Sequence, residues 1–379
     1  VSVRDYGLDP TGRTVDTARL QHAINQVAAA KGTLYFPPGI YLTGALRLKS
    51  NLTLYLARGA RLIASGDPED FPRDPGTDES HTRYDNKLWV DTSRVEVAYR
   101  RVLLVDGAQH VRIAGRGTID GQGGLLRSKR PIHFLFIRDS ADVVVEDVLL
   151  LDSPLYNVHV LNSDRVTFRN VKIVSDLKLA NTDGIDPDSS RDVLIEGCFF
   201  FTADDSVSPK TTAYGGVMRD LERLTVRDCV LISGTSGTKV GNETFGGAYR
   251  DILFEDVDFL EGNRAITVST LDGNYYENIR FINIRIETLF PHGRQYPIEV
   301  QVRPRLPGCV VANIRNVLFK DVVIEQEHAK PSRLTGFSAE SGLSGIRFEN
   351  YVIAGRKRLN AEDAKVLIGP FVSDVTFAP

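Results

Sequence analysis

Little in this chain could cross-link it or anchor it. Its 379 residues include three cysteines, one methionine and one tryptophan. Three cysteines cannot build a disulfide framework. No apolar run reaches the ~18 residues of a membrane-spanning helix, so no membrane partner is expected. Neither charge sign dominates: 46 Lys and Arg against 49 Asp and Glu leave a net charge of −3. No basic stripe breaks that balance, which argues against a nucleic-acid partner. Helical periodicity is scarce too. It occurs from Asp16 to about Ala30, where Leu20, Ala23, Ile24, Val27 and Ala28 recur at helical spacing, with Asp16 or Thr17 as the cap.

What the chain does have is a repeat. An eight-position pattern of apolar, any, apolar, charged, Asn/Asp, apolar, any, apolar occurs eight times between residues 143 and 353. It starts at Val143 (VVVEDVLL), Val166, Val193, Leu224, Ile252, Ile279, Val317 and Ile346, in steps of 23 to 38 residues. Strand-like units at this period, without a helical face, point to a solenoid. The fifth position holds Asp147, Asn170, Gly197, Asp228, Asp256, Asn283, Asp321 and Asn350. These types tolerate a left-handed backbone, so a bend between two short strands is expected there. The fourth position reads Glu146, Arg169, Glu196, Arg227 and Glu255 over five coils. Alternating sign fits coils stacked at strand spacing, ~4.8 Å, each exposed pair contributing ~0–1 kcal/mol.

The expected fold is therefore all-β, a right-handed parallel β-helix of about ten coils closed by the N-terminal helix. It forms one domain over 1–379, with a cap region at 1–50, earlier coils at 51–62 and 110–120, a long polar loop at 72–100 and regular coils over 143–353. Cys198 and Cys229 share one inward position of successive coils and should be stacked core thiols, while Cys309 lies in the longest inter-repeat segment. The chain begins at Val1 with no signal peptide. A leader already removed would fit a secreted or periplasmic protein; a trimmed chain or a cytoplasmic location stays open.

Acidic residues crowd 181–189 (NTDGIDPDS) and 202–210 (TADDSVSPK). Asp183 falls ten residues after one repeat ends at Ile173, and Asp204 and Asp205 fall four and five after the next ends at Phe200. The two groups should converge on one lateral face of adjacent coils. Neighbouring carboxyls repel, which raises the proton affinity of one while the others stay ionised. Such a set can run glycoside hydrolysis. Two plainer readings remain: a calcium site from Asn181, Asp183, Asp186 and Asp188, or ordinary turn chemistry.

At these residues the chain resembles glycoside hydrolase family 28, the polygalacturonase family. DYGLDPTGRTVDTARLQHAI, YFPPGIYLTGALRLKSNLTLYL, GRGTIDGQG and LLLDSPLYNVHV look like that family. So do Asn181-Thr182-Asp183-Gly184 and the paired Asp204-Asp205. The resemblance implies a right-handed parallel β-helix that hydrolyses glycosidic bonds with inversion and uses no cofactor or metal. It implies Asp204 as the proton donor, with Asp183 and Asp205 holding and deprotonating the attacking water. Inversion calls for acid and base carboxyls roughly 6.5–9.5 Å apart.

The chain departs from the family at two places. The family's Gly-His-Gly is missing, and its His position is Ser236. Its Arg-Ile-Lys, which grips a uronic acid carboxylate, is replaced by Thr267-Val268-Ser269. Two readings follow: the sugar at the cleavage site is non-standard, or the cations have moved. Lys239 lies on the coil between, and Arg264 should lie under Ser236 and Asp205. Lys210, which follows the paired Asp, and Asn181 are expected to line the cleft. Tyr275 and Tyr276 are candidates to stack on a sugar ring, His292, Arg294, Arg303 and Arg305 to border the groove, and His81 and Trp89 to form one wall; the plainer reading of each is an ordinary surface or loop residue. His110, His133 and His159 read as structural. The expected partner is a pectin-related or other polysaccharide or oligosaccharide; oligomeric state is not indicated. The competing functions are a β-helix polysaccharide lyase and a non-catalytic, tail-spike-like glycan-binding protein.

Overall fold

The computed structural model describes residues 1–72, 100–127, 132–212, 219–245, 247–291, 293, 296–304, 312–327 and 330–379. Most of the loop at 72–100, and with it His81 and Trp89, therefore lies outside the described residues, as do His292, Arg294, Arg305 and Cys309.

All eight fifth positions of the repeat adopt a left-handed backbone, with φ between 50° (Asn350) and 65° (Asp147). Some bends join two short strands, as between Ala141–Glu146 and Leu149–Leu151, and others lie inside one long strand, as Asp256 does in Tyr249–Thr270. Successive bends also bond to one another. Asn170 Nδ2 donates to Asp147 Oδ1 at 2.6 Å and Asn350 Nδ2 to Asp321 Oδ1 at 2.7 Å. Asn283→Ala should thus lower stability by ~1–2 kcal/mol, whereas Asn283→Gly should cost less because glycine accepts this φ. The denaturant midpoints of the two variants check this.

A second row of left-handed residues sits just before each repeat: Asp142, Arg165, Asp192, Arg223, Asp251, Asn278, Asn316 and Gly345. The two arginines are poor candidates for such a backbone. Their side chains bond back to the preceding coil, Arg165 Nε to Asp142 Oδ1 at 2.7 Å and Arg223 Nε to Asp192 Oδ1 at 2.6 Å, which offsets part of the strain.

Parallel pairing stacks the coils in register. One ladder runs through twelve strands among the described residues, from Thr33–Phe36 to Val372–Ala378, two more than the expected ten. The fold is a right-handed parallel β-helix. Glu146, Arg169, Glu196, Arg227 and Glu255 are successive partners. Arg227 Nε, for example, donates to Glu196 Oε1 at 2.9 Å. Inside, Phe254, Phe281, Phe319, Phe348 and Phe377 form a continuous stack with centroids 4.7–5.3 Å apart. Cys198 and Cys229 are buried free thiols in the same core.

The helix spans Thr17–Ala29 and buries Leu20, Ala23, Ile24, Val27 and Ala28 against the first coils. Asp16 stands at its N-cap but makes no capping bond. Its carboxylate instead accepts from Asp9 N at 2.9 Å and pairs with Arg19 at 2.8 Å. Thr17 Oγ1 accepts from Gly44 N at 2.7 Å.

Candidate active site

A second ladder carries the acidic residues. Ile185 pairs with Val207, Val207 with Thr238, and Thr238 with Ile266. Two residues upstream on these four coils lie Asp183, Asp205, Ser236 and Arg264, so they form one row, and Ser236 is registered directly on Arg264. Gly184 lets the coils approach here: a Cβ at this position would collide with Ser206 O and the Phe200 ring. The expected convergence is present. Asp183, Asp204 and Asp205 each offer an oxygen within 4.8 Å of the others. The nearest carboxyl oxygens are this close because the two groups sit on directly adjacent coils and face one recess.

The three carboxyls have different surroundings. Asp183 is 3% exposed and accepts from Lys210 Nζ at 3.2 Å. Asp205 is 1% exposed and accepts from Lys239 Nζ at 2.6 Å. Asp204 is partly exposed and bonds only to backbone, accepting from Asn181 N at 3.2 Å and Asp205 N at 2.9 Å. Among the described residues no cation contacts it. Burial pushes Asp183 up to about 7, against the opposing pull of Lys210 and with help from the charges of Asp204 and Asp205. Burial, and then Asp205, also raise Asp204. Carboxyls this close titrate as one unit rather than as separate groups. The recess therefore keeps a proton at pH values where an ordinary aspartate has lost its own.

Lys210 is a buried hub. Its ammonium also pairs with Asp186 at 3.3 Å and Glu243 at 3.5 Å, and lies 4.8 Å over the Tyr156 ring. The calcium quartet suggested by spacing does not assemble. Asp186 faces Lys210, and Asp188 faces His159 Nε2 at 3.0 Å and Thr212 N at 2.9 Å. His159 is thus structural, as expected. Of the other expected positions, Asn181 takes a left-handed φ of 58° and its Oδ1 accepts from Arg127 at 3.4 Å. Ser236 is fully buried, with Oγ 3.5 Å from Thr267 Oγ1. Ser269 is buried and its carbonyl accepts from Tyr276 Oη at 2.8 Å. Tyr276 is therefore a core residue and not a sugar platform, whereas Tyr275 is 61% exposed. Arg264 lies under Ser236 as expected, but its ion pair is to Glu299 and not to the aspartates.

Sequence reasoning missed Glu243, Tyr156 and Glu299, and gave Asp186 the wrong partner. Glu299 left a legible signal, since it interrupts the apolar strand Ile298–Val302 and is fully buried there. Glu243 and Tyr156 lie outside the repeat and meet the site at Lys210.

A β-helix whose lateral cleft converges three aspartates is the frame of a glycan-cleaving enzyme. The profile of glycosyl hydrolases family 28 matches residues 82–364, and that of rhamnogalacturonase A/epimerase, pectate lyase-like proteins matches residues 1–59. The chain belongs to glycosyl hydrolases family 28, whose members act on O-glycosyl bonds. It is 29% identical over 316 residues to a probable polygalacturonase of Vitis vinifera, covering 76% of this chain and 61% of that protein. It is 25% identical over 353 residues to an endo-polygalacturonase of Pectobacterium carotovorum subsp. carotovorum, covering 83% and 81%. An exo-poly-alpha-D-galacturonosidase of Dickeya chrysanthemi matches at 24% over 55% of this chain and 41% of its own length. This chain thus spans less than two thirds of two of these relatives, 61% of one and 41% of the other. Among solved structures, the exopolygalacturonase of Thermotoga maritima superposes with a TM-score of 0.78 at 22% identity, covering 100% of this chain and 91% of that one. That likeness speaks for the fold.

Proposed function

We propose that this chain is an inverting glycoside hydrolase acting on a pectin-type polysaccharide or oligosaccharide. The observation that carries the reading is the division of lysines. Lys210 holds Asp183 and Lys239 holds Asp205. An adjacent ammonium favours the charged carboxylate, so these two suit the ionised base that binds and deprotonates water. Asp204 has only backbone donors and is the most exposed of the three. It suits the acid that protonates the leaving oxygen. Relatives named as polygalacturonases supply the substrate class. Asn181 positions Asp204 through its backbone N–H, Ser236 continues the row of Asp205, and Thr267 and Ser269 stack on Lys239 and Gly241 beside it.

The short spacing bears on stereochemistry. Retaining enzymes place their carboxyls ~5–5.5 Å apart so that one attacks the sugar. Here the two lysine-bound aspartates are 3% and 1% exposed. A sugar carbon cannot reach carboxylates buried to that degree, but a water can enter between them, which favours inversion. The uninterrupted ladder supports one domain over the whole chain. No helix among the described residues is long and apolar enough to cross a membrane. A polymeric substrate outside the cell fits secretion or a periplasmic site.

A panel of pectic and neutral polysaccharides, followed by reducing ends and chain length, tests the reading. Release of reducing sugar without a rise in ultraviolet absorbance supports hydrolysis. A new absorbing double bond supports a lyase, and binding without release supports the glycan-binding alternative.

Asp183 must lose its proton to serve as base, so activity should rise as pH rises through about 7. The alkaline limb belongs to Asp204, whose proton affinity burial and Asp205 raise. Lys239 lowers the proton affinity of Asp183 and Asp204, so Lys239→Met should move the alkaline limb of the pH–rate profile upward while lowering kcat.

A further inference from the structure

One coil beyond the aspartates lies a second charged cluster that the three-aspartate chemistry does not use. Arg264 continues the row of Asp205 and Ser236, and its side chain is 6% exposed. A guanidinium so buried ordinarily fills its five N–H donors. Among the described residues Arg264 has one ion pair, Nη1 to Glu299 Oε2 at 3.5 Å, and its Nε has no hydrogen-bond partner. Glu299 is 0% exposed and is also held by Arg333 of the next coil, through Nη2 to Oε1. Arg333 lies 4.9 Å over the Tyr296 ring and is 39% exposed. Two cations thus share one carboxylate, and the buried one, Arg264, is left with its charge only partly compensated. Such a charge is costly unless an anion completes it.

The register says which anion. Glu299 pairs with Thr267, and Ser269 pairs with Gln301. Of the two positions that lack a cation, Thr267 therefore borders the cluster directly and Ser269 lies two residues further along the strand. Arg264 stands three residues before Thr267 on the same strand, Tyr249–Thr270.

We propose that Arg264 and Arg333, held together by Glu299, form a carboxylate-binding fork that selects an acidic sugar in the subsite next to Asp205. Planar guanidinium groups match a carboxylate in charge and geometry. This rests on the glycoside hydrolase reading above and narrows it: the cations have moved along the coil, and the substrate keeps its acid group.

The test is binding of oligogalacturonate, and of the same oligomer with its carboxyls reduced to alcohols, by the full chain carrying Asp204→Asn. Calorimetry should show preference for the acidic oligomer. Adding Arg264→Gln should weaken that binding roughly 30-fold or more, and change binding of the reduced oligomer by less than about 3-fold. Arg333→Gln, at the more exposed position, should shift binding in the same direction by less, and Glu299→Gln should tighten it. Equal losses for both oligomers, preference of the parent for the reduced one, or binding of neither would overturn the fork. Failure of the hydrolase reading looks different: the otherwise unmodified chain releases no sugar, yet charge-selective binding persists and still responds to Arg264→Gln.

Discussion

Asp204→Asn should lower kcat by about 1,000-fold or more, within the range of a general acid, while the unfolding midpoint and oligosaccharide binding change little. The amide keeps the shape of the carboxyl, and its single oxygen can still accept one of the two bonds that orient the side chain, from Asn181 N or Asp205 N, which reach different carboxyl oxygens. What it loses is the proton that the leaving oxygen needs. It also removes a negative charge that raises Asp183, so stability should stay level or rise slightly. Comparing kcat with the dissociation constant for an uncleaved oligomer separates loss of chemistry from loss of binding. Activity near that of the parent would remove Asp204 from the role of acid.

Lys210→Met should be the most damaging of the lysine changes, costing about 3–5 kcal/mol at neutral pH, as expected when one partner of a buried ion cluster is removed. The methionine fills much of the volume, but Asp183, Asp186 and Glu243 lose the cation they share. The loss has a defined pH dependence. Burial raises Asp183 from 3.8 to about 7 and raises Asp186 well above its ordinary value. Below 3.8 a protonated Asp183 incurs no charge penalty in either state. Between 3.8 and about 7 the folded chain retains a proton that the unfolded chain has released, so stability falls as pH rises through that window. Lys210 opposes the shift at both residues, and its removal widens the window upward. The variant should therefore lose much more stability at pH 8 than at pH 5, read as the difference in denaturant midpoints. An equal loss at both pH values would mean that Lys210 acts by packing alone.

Much of this architecture is legible in the sequence, because a solenoid writes its geometry once per coil. The Asn, Asp and Gly at the fifth position announce a left-handed bend, and all eight adopt it. The second bend was hidden because Arg165 and Arg223 occupy it, and no intrinsic preference marks an arginine for that backbone. The solenoid imposes the bend at all eight positions, and the ion pair to the coil before offsets part of its strain at the two arginines. At the site, register alone brought Asp183, Asp205, Ser236 and Arg264 into one row. It could not place the side chains across the row. The calcium quartet and the stacking role of Tyr276 failed there. The lysines were visible only as residues near the aspartates. That Lys210 takes Asp183 and Lys239 takes Asp205 depends on which way each side chain turns in the recess.

The central claim is that the two lysine-held aspartates activate water while Asp204 protonates the leaving group. The most direct measurement is the anomeric configuration of the first product, followed by proton NMR before mutarotation. The expected product has the configuration opposite to that of the bond cleaved, because water, and not an aspartate, attacks. A product that retains the configuration would contradict the claim. It would mean that carboxyls within 4.8 Å of one another are close enough for one of them to bond the sugar itself.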